Sequence, residues 1–100
     1  MSEYQEQWLE SALSDLEEIL DYLIDNTQDP ELVIKTEDSI RSSIATLLTQ
    51  PEMGIEMPNN KRKLILKKVP FIVVYEIKQT EIWIWGVTHQ SRKFPDQKYG

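Results

Sequence analysis

The fold of this 100-residue chain is decided by residues 70–89, PFIVVYEIKQTEIWIWGVTH. Side chains along an extended strand alternate between its two faces, so Phe71, Val73, Tyr75 and Ile77 point one way while Ile72 and Val74 point the other. In the next run, Ile82 and Ile84 oppose Trp83, Trp85 and Val87. Upstream, Arg62–Lys68 has the same period of two. The breaks at Val69-Pro70 and Lys78-Gln79-Thr80 divide the region into strands Arg62–Lys68, Pro70–Ile77 and Glu81–Thr88, a three-stranded antiparallel meander. Both faces of this sheet are apolar. Two helices cover only one of them, so the other needs the carboxyl-terminal segment, a second copy or a different chain. The segment from Gln90 to Gly100 is polar and offers only Phe94 and Tyr99, which favours a different chain.

Before the strands the period is 3.6. Leu9, Ala12, Leu13, Leu16, Ile19, Leu20, Leu23 and Ile24 form one helical stripe, with Ser11 as its expected N-cap and Glu17, Glu18, Asp21 and Asp25 facing water. Asp29-Pro30 opens a second helix with the stripe Val33, Ile40, Ile44 and Leu47. That helix stops near Thr49, because Pro51 cannot continue it and Gly54 begins a loop running through Pro58, Asn59 and Asn60. A short first strand is placed around Tyr4–Leu9. The predicted class is therefore α+β, a short β1, a two-helix hairpin and then the three-stranded meander, with residues 1–100 forming a single domain.

Composition narrows the functions. The net charge is −6, yet residues 1–58 hold fourteen acids against Lys35 and Arg41, a charge of −12, while 59–100 hold nine bases against Glu76, Glu81 and Asp96, a charge of +6. An acidic helical half is joined to a basic strand half, and an anionic partner would meet the second. No cysteine is present and His89 is the sole histidine, which excludes disulfides, thiol nucleophiles and all-imidazole metal sites. No metal or cofactor is expected. The acidic run of the first helix lacks a turn that converges carboxylates, and reads as a solvated face. Neither a membrane-spanning run nor a signal peptide is present, so a cytoplasmic location with no membrane partner is expected.

Three blocks then point to a family. Trp8-Leu9-Glu10-Ser11-Ala12 is followed by Asp15-Leu16, Ile19 and Asp21-Tyr22-Leu23; Pro70–Ile77 forms the second block; and Val87-x-His89-x-x-Arg92-x-Phe94-Pro95 forms the third. In this order and spacing they resemble the RelE/ParE superfamily of type II toxin–antitoxin toxins, and the opening block is most similar to ParE. The resemblance implies a plasmid-stabilisation type of toxin that inhibits growth. It implies a cognate antitoxin, forming a hetero-oligomer, whose extended and partly helical segment would cover the second sheet face. ParE-like members inhibit DNA gyrase by trapping its cleaved-DNA complex, without chemistry of their own. RelE-like members cut messenger RNA on the ribosome, and an inactive relative would only bind. Enzymatic activity stays open between these readings, although the net acidity speaks against docking among ribosomal phosphates. Relatives often carry an arginine next to the glycine of Pro51-Glu52-Met53-Gly54. Here Ile55 follows, so that basic anchor is absent or is supplied from Lys61-Arg62-Lys63.

If the chain is a ribonuclease, His89, Arg92, Lys61 and Arg62 are the candidates, since phosphate cleavage needs a base, an acid and cations at the phosphate. Candidates for contacting a target or antitoxin are Arg62, Lys67, Trp83, Trp85, His89, Arg92, Lys93 and Phe94. Each has a plainer alternative. Lys61–Lys68 reads equally as an edge strand guarded by lysines, His89 as a hydrogen-bonding structural residue, Trp83 and Trp85 as core beneath the helices. Arg92 has the alternative of pairing with a helix acid and Phe94 of capping the core, while Tyr75 reads as core with its hydroxyl satisfied.

Overall fold

A computed structural model describes residues 3–91. The order is β1 (Gln5–Trp8), α1 (Glu10–Thr27), α2 (Pro30–Leu47), a 3-10 turn (Pro51–Met53), β2 (Ile55–Glu56), β3 (Lys61–Ile65), β4 (Phe71–Lys78) and β5 (Glu81–His89). The strands form one sheet in the order β1-β5-β4-β3-β2, with β1 parallel to β5 and the other neighbours antiparallel. The expected two helices and meander are present, and the sheet has two more strands than the meander. Besides β1, a two-residue strand lies inside the expected loop, because Ile55 and Glu56 pair with Lys63 and Arg62. Asn59 and Asn60 make the turn that follows with positive φ (64° and 62°), a conformation asparagine tolerates. Among the described residues, no helix is long and apolar enough to cross a membrane.

One face of the sheet carries the helices. Phe71, Val73 and Tyr75 of β4 and Ile82, Ile84 and Val87 of β5 pack against Ala12 and Leu16 of α1 and Ile40, Ile44 and Leu47 of α2. Asp29 caps α2 through its carboxylate, which accepts from the Leu32 N–H at 3.2 Å, and Pro30 sits in the first turn. The stripe on α1 is narrower than its sequence. Leu13 and Ile24, placed at its margin by the 3.6 period, are 49% and 56% exposed. The expected solvent-facing acids Glu17, Glu18, Asp21 and Asp25 are exposed.

A bulge in β5 changes the expected alternation. Val74 pairs with Gly86 but Tyr75 pairs with Ile84, so Trp85 is an extra residue. The phase of β5 shifts there, and Val87, expected beside Trp83 and Trp85, joins Ile82 and Ile84 in the helix-side core. Ser11 is not an N-cap. The helix starts one residue earlier, at Glu10, with Leu9 in the cap position, and the Ser11 hydroxyl donates to the Trp85 carbonyl at 2.6 Å. One helical turn on, the Asp15 carboxylate accepts from the Val87 N–H at 3.0 Å. Helix α1 thus satisfies backbone groups on both sides of the bulge.

On the second face, Ile72 and Val74 are buried beneath Met57 and Trp85. This strip, expected to need another segment or chain, is packed by the chain's own described side chains. Lys61 also differs from its reading as part of a solvated edge: it is 7% exposed, with its ammonium 4.2 Å from the Trp85 ring centre.

Candidate functional site

A large concavity lies beyond the point where α1 stops packing closely on the sheet. An 18-residue helix extends about 27 Å, and α1 buries Ala12 and Leu16 against the sheet but nothing fully beyond them. The distal part of the hairpin stands off the start of β4 and the end of β5. The space between is a groove of about 600 Å³. Ile19 and Leu23 of α1 and Leu32 of α2 form its helical wall, and Val69, Pro70, Phe71 and Val87 form its floor. Charge at the rim is divided by element: Asp15 and Glu18 stand on α1, while Lys35 and Lys68 stand on α2 and the β3–β4 connection. Such a cleft suits an amphipathic segment with apolar anchors and charged flanks.

His89 lines this groove with its ring edge-on to Phe71, at 5.4 Å between centres and 81° between planes. Its Nδ1 accepts the Ser91 N–H at 3.0 Å and lies 2.8 Å from the Ser91 hydroxyl. A backbone N–H can only donate, so Nδ1 carries a lone pair and the neutral ring places its proton on Nε2. His89 therefore offers the groove a donor. Its accepting nitrogen is already engaged, which is a poor arrangement for a general base.

Nor do the other ribonuclease candidates converge on it. Lys61 stands opposite Glu76 and His89 opposite Phe71. Those positions are five residues apart on β4, about 17 Å at roughly 3.4 Å per residue, and their side chains lie on opposite faces. Arg62 is committed elsewhere: Nη1 donates to the carbonyls of Glu52 and Gly54 at 3.2 and 2.8 Å, and Nη2 to the Glu56 carboxylate at 3.3 Å. This is the basic anchor of the Pro51–Gly54 turn, supplied from the Lys61-Arg62-Lys63 run. The Tyr75 hydroxyl completes the clamp, accepting from the Gly54 N–H at 2.8 Å and donating to the Pro51 carbonyl at 2.7 Å. Burial raises the phenol pKa above 10.0, opposed by the Gly54 hydrogen bond and the Arg62 charge, with Glu52 adding slightly to the rise.

Each tryptophan has the same two kinds of neighbour, a carboxylate and a cation. The indole N–H of Trp8 goes to Glu6, that of Trp83 to Glu81 at 3.2 Å and that of Trp85 to Glu76 at 3.0 Å. A cation lies over each ring: Arg41 on Trp8, Lys78 on Trp83 and Lys61 on Trp85. Trp83 and Trp85 are half-buried on the face away from the helices. Lys67 is exposed and lines a second cleft, of about 470 Å³, between β3 and the Ser39, Ser42 and Ser43 side of α2. Arg92, Lys93 and Phe94 lie outside the described residues. Among the described residues, no three His, Asp or Glu side chains are grouped as metal ligands. Sequence reasoning missed Asp15 as a strand partner and the groove itself; the available signal was Ser11 and Asp15, one turn apart on the helix that must meet the sheet.

Comparison with known proteins places this geometry. Residues 7–94 match the family described as the ParE toxin of the type II toxin–antitoxin system parDE. A chain of the chromosomal ParDE TA system from P. aeruginosa superposes with a TM-score of 0.73 at 26% identity, covering 86% of this chain and 95% of that one. The isolated RelE toxin of E. coli superposes with a TM-score of 0.63 at 12% identity, covering 95% of this chain and 93% of that one, a likeness of fold. No curated protein sequence matches the chain.

Proposed function

Because the chain belongs to the ParE toxin family of type II toxin–antitoxin systems, we propose that it is a cytoplasmic, ParE-like toxin that inhibits DNA gyrase by binding, and that a cognate antitoxin neutralises it. The observation that carries the reading is the groove between the hairpin and the β4–β5 end. Its apolar floor and walls would take a helical or extended antitoxin segment, and acids on that segment would meet Lys35 and Lys68. The distance between His89 and Lys61, on opposite faces, supports binding over catalysis. Under this reading Lys67, Trp83, Trp85, Arg92, Lys93 and Phe94 are contacts for target or antitoxin, while Arg62 shapes the loop beside them.

Induction in a bacterial host, followed by examination of both DNA and transcripts, tests the assignment. Growth arrest with gyrase-linked DNA breaks and intact messenger RNA is expected. Cleaved messenger RNA with normal gyrase activity would move the chain to the RelE-like function, and unimpaired growth would leave a binding protein only.

A further inference from the structure

Helix α1 has a second, outward face that nothing in the described fold covers. Residues 13, 17, 21 and 24 recur at intervals of three and four and so share one side of the helix. Leu13 and Ile24 are large apolar groups at 49% and 56% exposure, and Glu17 and Asp21 lie exposed between them. The groove-lining residues Asp15, Glu18 and Tyr22 sit about 140° away around the helix, at 3.6 residues per turn, so this is a separate surface.

Its chemistry is one-sided. Helix α1 contains Glu10, Asp15, Glu17, Glu18, Asp21 and Asp25 and no basic residue. Glu17 and Asp21 take part in none of the ion pairs Arg41–Glu37, Arg62–Glu56 and Lys78–Glu76 found among the described residues. Glu17 and Asp21, one turn apart, repel each other and so cost the isolated helix stability. Two exposed apolar groups bracketing a line of carboxylates match a basic protein surface with apolar gaps, and the carboxylates repeat at about 6 Å along the axis. A surface that holds the DNA backbone is basic for the same electrostatic reason.

We propose that this face of α1 docks on a basic, DNA-contacting protein surface, which under the gyrase reading above is a surface of the topoisomerase beside its DNA path. The inference rests on that reading. The negative half of the chain then meets the target, and the groove on the other side of the same helix remains for the antitoxin.

The test measures binding of the full chain to immobilised DNA gyrase at low and at threefold higher salt, with circular dichroism and thermal melting as controls for folding. The wild type is expected to bind and to weaken tenfold or more as salt rises. The double variant Glu17→Lys/Asp21→Lys is expected to lose at least tenfold in affinity with its melting curve preserved; Glu17→Gln/Asp21→Asn, a milder change on the same face, is expected to fall between. Wild-type-like affinity in both variants, beside normal wild-type binding, would overturn the docking face and leave the gyrase reading standing. Absence of binding by the wild type itself would overturn both.

Discussion

The Asp15 carboxylate receives the Val87 N–H at 3.0 Å, across the two residues that follow the bulged Trp85. Strand β1 ends at Trp8, opposite Ile84, so a charged acceptor on the helix takes the place of a strand partner on that side of β5. Asp15→Ala is expected to destabilise the chain by about 1–2 kcal/mol, since a partly buried amide loses its acceptor. Asp15→Asn keeps an oxygen in place and should cost less. Urea unfolding of the three proteins checks the order.

Tyr75 and Gly54 form a second interlock. A Cβ on Gly54 would stand 2.6 Å from the Tyr75 hydroxyl and 2.9 Å from the Lys63 carbonyl. Gly54→Ala should therefore cost about 1–3 kcal/mol by overpacking, and Tyr75→Phe about 1–3 kcal/mol by leaving the Gly54 N–H and Pro51 carbonyl without a partner. The pair should be non-additive, because removing the hydroxyl relieves one of three close approaches and leaves those to Tyr75 Cε1, at 2.7 Å, and the Lys63 carbonyl. A double-mutant cycle on unfolding free energies measures the coupling.

The same phenol sets an alkaline limit. Its folded pKa lies above the ordinary 10.0, chiefly through burial, so the folded chain holds this proton more tightly than the unfolded chain does. The associated stability is complete below the unfolded value and declines as pH rises through the raised folded value. Denaturation midpoints followed from about pH 8 to about pH 11 should fall more steeply for the wild type than for Tyr75→Phe.

Groove occupancy is checked by substituting Leu23, which lines the groove without joining the fully buried core. Leu23→Glu puts a charge among the apolar contacts of the groove wall. It should weaken antitoxin binding by at least tenfold, about 1.4 kcal/mol, and leave growth inhibition in place. Co-expression with a cognate antitoxin reads this out as toxicity no longer suppressed.

Much of this was legible in the residues. The period change from 3.6 to 2, Asp29-Pro30 and the punctuation at Pro51 place both helices and the meander where they are found. The three motif blocks resemble the family whose description matches residues 7–94. What escaped depends on contacts distant in sequence. Strict alternation along Glu81–Thr88 cannot reveal an extra residue at Trp85, so Val87 falls on the wrong face until the register with β4 is known. Ser11 has the composition of a cap, yet its hydroxyl is taken by a carbonyl 74 residues away. Lys61 and Arg62 read alike as surface cations; only the fold shows one stacked on Trp85 and the other closing the turn at Gly54. The groove exists because the far end of the hairpin stands off the start of β4 and the end of β5, a tertiary relation that no local pattern encodes.

Purified protein incubated with DNA gyrase, ATP and relaxed plasmid tests the central claim most directly. Loss of supercoiling with accumulation of gyrase-linked cleaved DNA, reversed by prior addition of the antitoxin, is the predicted result. Unimpaired supercoiling, together with cleavage of messenger RNA when the same protein is added to translating ribosomes, would contradict it.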